Sequence, residues 1–169
     1  MSQELFSAVD RGDVAAVKAL IATGANVNFV DSKGDYAGYC PLTLAAESGH
    51  TKIVQLLIAS GARNRSFVRD AIRHGHTEIV REWLKLNDID VDLVDDRDMI
   101  TPLIHAAGGS LTIVQMFVNA GANVNAVSSE GDTPLGRAVL RGKTDVVKYL
   151  WPLSSEKTRR TAGVTEQPK

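Results

Sequence analysis

The chain has 169 residues and a mass of 18.2 kDa, a size that suits one domain burying roughly 70% of its unfolded surface. Hydrophobic residues make up 44% and charged residues 23%, which excludes a disordered or collagen-like chain. Lys and Arg total 19 against 20 for Asp and Glu, a net charge of -1 that argues against nucleic acid or an anionic membrane as the main partner. One cysteine, Cys40, leaves no internal disulfide or Cys-based zinc cluster and points to a reducing compartment. No apolar run approaches the roughly 18 residues that span a bilayer. The opening Met-Ser-Gln-Glu-Leu-Phe lacks the pattern of a signal peptide. The expectation is a cytoplasmic protein, with the nucleus or a host cytosol as further settings.

The chain repeats itself. A first copy runs through Leu5, Ala8, Gly12, Val17 and Leu20 to Gly24-Ala25-Asn26-Val27-Asn28. A second begins Pro41-Leu42-Thr43-Leu44-Ala45-Ala46 and continues through Gly49-His50, Ile53-Val54 and Leu56-Leu57-Ile58 to Gly61-Ala62. A third, weaker copy holds Val68, Ala71-Ile72, Gly75-His76, Ile79-Val80 and Trp83-Leu84. The fourth and fifth start at Thr101-Pro102-Leu103 and Thr133-Pro134-Leu135, and the fourth closes on Gly121-Ala122-Asn123-Val124-Asn125. The marker glycines Gly12, Gly49, Gly75, Gly109 and Gly142 lie 37, 26, 34 and 33 residues apart.

Each copy reads as two helices. Thr101 and Thr133 precede a proline, the order of an N-cap followed by Pro at the first helical position. Ser66 can cap the third copy, whereas Cys40 is a poor cap. Gly49, Gly75 and Gly142 supply a left-handed turn, and a second helix follows with one apolar face at three-to-four spacing. Gly24, Gly61 and Gly121 end that helix. No copy can bury its apolar face alone, so stacking must supply a shared core.

The period and the Thr-Pro-Leu signature resemble the ankyrin-repeat family over residues 3 to about 153. The resemblance implies an all-α ankyrin-repeat solenoid of stacked helix-turn-helix units with projecting β-hairpin-like turns. Five repeats fall at about 3–28, 40–62, 66–92, 101–125 and 133–153. Residues 154–169 lack apolar periodicity and read as a disordered tail, dispensable for folding.

No phosphate loop, Gly-x-Ser-x-Gly elbow or His-Glu-x-x-His motif is present, so no catalytic residue, cofactor or metal is expected. His50 and His76 read as turn histidines bonded within their own helix-turn-helix, and His105 as a partly buried histidine. The pair His74 and His76 has no Cys or Glu-x-x-His beside it. The spacing of Asp88, Asp90, Asp92, Asp95, Asp96 and Asp98 is similar to the start of a calcium loop. Leu93 stands where that loop needs glycine, and Met99 where it needs glutamate.

The irregularities say more. Only four residues separate Gly61 from Ser66, enough for a tight link but not for a projecting turn. One finger is therefore missing between the second and third repeats, and that junction is expected to be the weakest in the stack. The turn 29–39 is long and carries Tyr36 and Tyr39. Gly108-Gly109-Ser110 has lost a residue, which shortens the fourth copy's first helix or its turn.

What the resemblance implies about function is a non-catalytic protein–protein interaction module, an adaptor, scaffold or inhibitor, gripping another protein on its concave face. The residues this assigns are Val30, Ser32, Lys33, Tyr36, Tyr39, Glu47 and Ser48, then Arg65, Arg69, Arg73 and His74. Beyond them come Asp95, Asp96, Arg97, Asp98 and Ile100, then Ser129, Glu130, Asp132, Leu140 and Arg141. Tyr and Arg are the types enriched in binding hot spots. The chain is expected to be a monomer on its own, with neither nucleic acid nor membrane as partner. Two other readings stand beside this one. One is a regulator responding to a small molecule or metal at the notch between repeats 2 and 3. The other is a structural subunit stacking on another chain.

Overall fold

The computed structural model describes residues 2–32, 36–64, 67–86, 89–94 and 98–168. Among the described residues there are eleven α-helices and no β-strand. The first six are α1 (Ser2–Asp10), α2 (Val14–Ala22), α3 (Pro41–Glu47), α4 (Thr51–Ala59), α5 (Phe67–His74) and α6 (Thr77–Leu84). The rest are α7 (Pro102–Ala107), α8 (Leu111–Asn119), α9 (Pro134–Leu140), α10 (Thr144–Leu150) and α11 (Glu156–Thr161). The chain forms two compact units, residues 1–82 and 83–169. The division falls inside the third copy, not at the fingerless junction between the second and third.

In the first unit α1 packs on α2 and α3 on α4, while α1 also lies on α3 and α3 on α5. In the second, α7 packs on α8, α9 on α10, and α7 on α9. The apolar stripes explain this order. Ile53, Val54 and Leu57 of α4, and Ile113, Val114 and Phe117 of α8, are fully buried. Each such side chain contributes about 1.5–3 kcal/mol on burial. Ala45, Ala46, Ala106 and Ala107 are also sealed, which lets neighbouring first helices approach closely.

Thr101 Oγ1 accepts the Ile104 N–H at 3.3 Å and Thr133 Oγ1 the Gly136 N–H at 3.0 Å, so both are N-caps. Cys40 occupies the N-cap of α3 without a side-chain cap bond. Ser66 lies outside the described residues. The lost residue at Gly108-Gly109-Ser110 shortens the helix: α7 has six residues where α3 and α9 have seven.

Histidine ties one copy to the one before it. His76 Nε2 donates to Glu47 O at 2.8 Å, and His50 Nε2 lies 3.4 Å from Asp10 O. These bonds were expected within each helix-turn-helix, but they reach back to the preceding copy. The reason is the turn glycine. Gly49 has φ +75°, and a Cβ there would sit 2.7 Å from the His76 ring; Gly12 stands in the same relation to His50 at 2.8 Å. Only glycine leaves room for the ring and accepts that backbone conformation.

A second tie uses the closing Asn-Val-Asn or Asp-Val-Asp segment. Asn28 Oδ1 accepts the Arg63 N–H at 2.9 Å, and its amide donates to Gly61 O at 3.1 Å. Asp92 accepts the Asn123 N–H at 3.0 Å. Asn125 Oδ1 accepts the Ser155 N–H at 2.7 Å. The first residue of each segment accepts from the third: Asn26 from Asn28, Asp90 from Asp92, Asn123 from Asn125. Asp90 and Asp92 of the acidic run are therefore parts of a repeating backbone clasp.

The fingerless junction keeps the packing of α3 on α5 and its histidine tie. Asn64 Nδ2 adds bonds to Cys40 Sγ at 3.2 Å and Thr43 Oγ1 at 3.1 Å.

The segment from Ser154 onward departs most from expectation. It is not a disordered tail: Ser155 caps α11, accepting the Thr158 N–H at 3.2 Å, and α11 packs on α9. Thr158 is buried and its hydroxyl donates to Asn125 Oδ1 at 2.8 Å. The Arg159 guanidinium lies 4.1 Å from the Trp151 ring centre, and its Nε donates to Trp151 O at 2.9 Å. Polar bonds hold this helix, so apolar periodicity does not reveal it. Deleting residues 154–169 is expected to cost about 2 kcal/mol, the sum of roughly two such bonds and a cation–π contact. Thermal unfolding should show Tm falling by about 4–8 °C. An unchanged Tm would mean the helix contributes nothing. Gly49→Ala should destabilise comparably in urea unfolding, about 2 kcal/mol, because it strains the turn and displaces His76.

Candidate functional site

In the first unit the sequence places Tyr39 at the root of the long finger, one residue before the N-cap of α3. Glu47 is the last residue of α3. Asp70, Arg73 and His74 lie on α5, where a spacing of three to four puts them on one face. Because α3 packs on α5, these five side chains meet. The Tyr39 hydroxyl donates to the Glu47 carboxylate. Arg73 Nη2 sits 2.9 Å from Asp70 Oδ1 and 3.8 Å from Glu47 Oε1. His74 Nε2 is 3.6 Å from Glu47 Oε1, and its ring stacks on His76 at 6.0 Å between centres.

Two of these groups are shifted from their ordinary values. The hydrogen bond to Glu47, aided by burial, pushes the Tyr39 hydroxyl above its ordinary value. Burial pushes Asp70 above the usual carboxylate range, against the opposing pull of Arg73 and Arg69. Asp70 is the member of this cluster that sequence reasoning missed. Its signal was present, an acid three residues before Arg73.

Of the other expected residues in this unit, Val30, Ser32, Ser48 and Arg69 are exposed. Tyr36 does not project: its ring packs 6.1 Å from Phe6 and 6.4 Å from Tyr39. The finger it belongs to closes through Asp31 N to Tyr39 O at 2.9 Å and Gly38 N to Asp31 O at 2.7 Å. Lys33 and Arg65 lie outside the described residues, as do Asp95, Asp96 and Arg97.

In the second unit the finger 128–132 closes through Ser128 N to Asp132 O at 2.9 Å. Ser129 donates from both N and Oγ to Asp98 O, each at 3.0 Å, holding two fingers side by side. Asp132 pairs with Arg137 at 2.8 Å. Asp98, Glu130, Leu140 and Arg141 are exposed, and Ile100 is half-buried. Among the described residues no three His, Cys, Asp or Glu side chains gather as metal ligands. None of the described helices is long and apolar enough to cross a membrane.

Stacked helix pairs, Thr-Pro caps and clasped fingers coincide with a family match. The pattern for ankyrin repeats, three copies, matches residues 4–68 and again 68–161. The chain belongs to the ankyrin-repeat family. It is 32% identical over 126 residues to the protein VAPYRIN-LIKE of Medicago truncatula, covering 70% of this chain and 26% of that one. It is 28% identical over 163 residues to ankyrin repeat protein nuc-2 of Neurospora crassa, covering 90% of this chain and 15% of that protein. The B-cell lymphoma 3 protein homolog of Mus musculus is 31% identical over 146 residues, covering 79% of this chain and 32% of its own. This ankyrin-repeat chain thus spans at most about a quarter of the first two relatives. Ankyrin repeats are generally protein–protein interaction modules and generally non-catalytic.

The raised Asp70 sets a direction with pH. Its folded form holds a proton more tightly than the unfolded chain, whose value is near 3.8. Its contribution is therefore complete below that value and is lost as pH rises through the raised one. Asp70→Asn, which cannot ionise, should gain stability relative to the wild type between about pH 4 and pH 7. Urea unfolding at both pH values measures this. An equal or opposite change would show that Arg73 outweighs burial.

Proposed function

We propose that this protein is a non-catalytic ankyrin-repeat module that binds a protein partner on the concave face formed by finger tips and first-helix ends. The observation that supports it best is the meeting of Tyr39, Glu47, Asp70, Arg73 and His74 at the ends of α3 and α5. A tyrosine and an arginine held by carboxylates are pre-ordered, so little side-chain entropy is lost when a partner covers them. Burial then strengthens bonds worth only about 0–1 kcal/mol each while the surface is wet. The reading includes a monomer in a reducing compartment, cytoplasmic or nuclear, acting as adaptor, scaffold or inhibitor.

Affinity capture with the wild type, Tyr39→Ala, Arg73→Ala and Lys52→Ala, followed by mass spectrometry, tests it. A partner retained by Lys52→Ala and lost by the other two supports the reading. Central, desolvated Tyr or Arg side chains cost about 2 kcal/mol or more when truncated. Equal retention by all four would move the binding face elsewhere.

A further inference from the structure

The glycine turn between the two helices of a copy is a socket, and in the first unit a histidine of the following copy fills it. The His50 ring lies on Gly12, 3.4 Å from Asp10 O, and the His76 ring lies on Gly49, 2.8 Å from Glu47 O. In both cases the acceptor stands two residues before the glycine. Gly142 of the last copy has the same left-handed backbone, φ +64°, yet a Cβ there would meet nothing within 4 Å. Leu140, two residues before it, ends α9 and is 72% exposed. Gly75 is open in the same way, and the copy after it carries Ser110 in place of the histidine. The ring is therefore a feature of the copy that docks, and no histidine ring lies on Gly142.

Helix α11 covers part of this terminal face, and covers it poorly. First helices pack on first helices, α3 on α1, α5 on α3 and α9 on α7, and α11 takes the next place, on α9. In α3 the residues Leu42, Leu44, Ala45 and Ala46 are buried, whereas α11 buries Thr158 alone. A terminal helix has one neighbour fewer, but the sequence Glu-Lys-Thr-Arg-Arg-Thr brings no apolar side chain even to the neighbour it has. Its hold is polar, through Asn125 and through Arg159 on Trp151. An open groove of about 300 Å³ remains where Val139 and Leu140 of α9 face Thr161 and Ala162.

We propose that the terminal face of the second unit, α9 with the Gly142 turn, docks a helix-turn-helix unit of a partner chain whose turn carries a histidine, and that α11 is a strap which this unit displaces. The partner's ring lies on Gly142 and donates to Leu140 O, as His76 does to Glu47 O. Its first helix brings to α9 the leucine and alanine side chains that α11 lacks. Burial of those side chains drives docking, while the polar bonds of α11 are exchanged for bonds to water at small net cost. The first copy of this chain is not such a unit, because its turn reads Gly12-Asp13. This face shares no residue with the cluster around Tyr39 and Arg73, so it stands apart from the concave-face reading.

The probe is a synthetic peptide of residues 41–60, the chain's own helix pair with Gly49-His50, which contains no tryptophan. Trp151, under Arg159 and donating to Val164 O at 3.3 Å, reports the departure of α11, while Trp83 is buried against Phe117. Adding peptide to the full chain should change tryptophan emission to saturation. Anisotropy of the labelled peptide should show binding about tenfold weaker when the peptide carries His50→Ala. Gly142→Asn should weaken it at least as much, since asparagine accepts the left-handed backbone but fills the socket. Gly24→Asn, the same change at the open left-handed turn after α2, should bind as the wild type does. Arg159→Ala, which loosens α11, should bind about two- to fivefold more tightly. Undiminished binding of the His50→Ala peptide, or by Gly142→Asn, would overturn the proposal, as would no binding at all. Binding that leaves Trp151 emission unchanged, or that Arg159→Ala does not strengthen, would overturn the displacement of α11. None of these outcomes bears on the concave-face reading, which the capture experiment tests through Tyr39 and Arg73.

Discussion

Glu47 belongs to two networks at once, and the first unit depends on that double use. Its backbone carbonyl accepts the His76 ring at 2.8 Å, tying the third copy to the second. Its carboxylate accepts the Tyr39 hydroxyl and lies within 4 Å of Arg73 (3.8 Å) and His74 (3.6 Å). The carbonyl is free for His76 because it lies in the last turn of α3, where no intrahelical donor remains. The ring reaches it because Gly49 has no Cβ. A helix end that must be satisfied anyway thereby orders the same surface on which a partner is proposed to bind.

Much of the fold was legible because its determinants are local and recur. Threonine before proline, glycine after the first helix and the apolar stripe of the second each act within a few residues, so spacing alone exposes them. The ties between copies were less legible. His50 and His76 show their residue type, but their acceptors, Asp10 and Glu47, lie 40 and 29 residues away. The same holds for Asn125, whose side chain organises Ser155 and Thr158 about 30 residues on. Helix α11 was misread as disordered for that reason. Its stability comes from Asn125, Trp151 and a serine cap, and none of these leaves an apolar period.

The candidate site was legible in part. Tyr39, Glu47, Arg73 and His74 were expected on one face, and the packing of α3 on α5 brings them together. Tyr36 was grouped with them because tyrosine in a long turn suggests exposure. Its ring instead rests on Phe6, an apolar neighbour from α1 that the turn's own sequence does not disclose. Asp70 was overlooked because an acid on a helix face is ordinarily solvated, and the unusual feature here is its burial.

Asp70 and Met99 illustrate the same physical trade. Each occupies a position where another residue is expected to stabilise the isolated fold: asparagine avoids the desolvation of a carboxylate, and glycine avoids the strain of φ +49°. Both lie on the first-helix end or finger, the parts of a repeat that contribute least to the shared core. The buried stripes of α4, α6, α8 and α10 carry the stability, and they leave these edges free to depart from the residue the backbone prefers. A repeat protein can therefore hold unfavourable groups at its rim at a cost that remains local, since each copy couples only to its neighbours. Departures from local preference at such rim positions, rather than the regular positions of the repeat, are where binding chemistry should be sought in this chain.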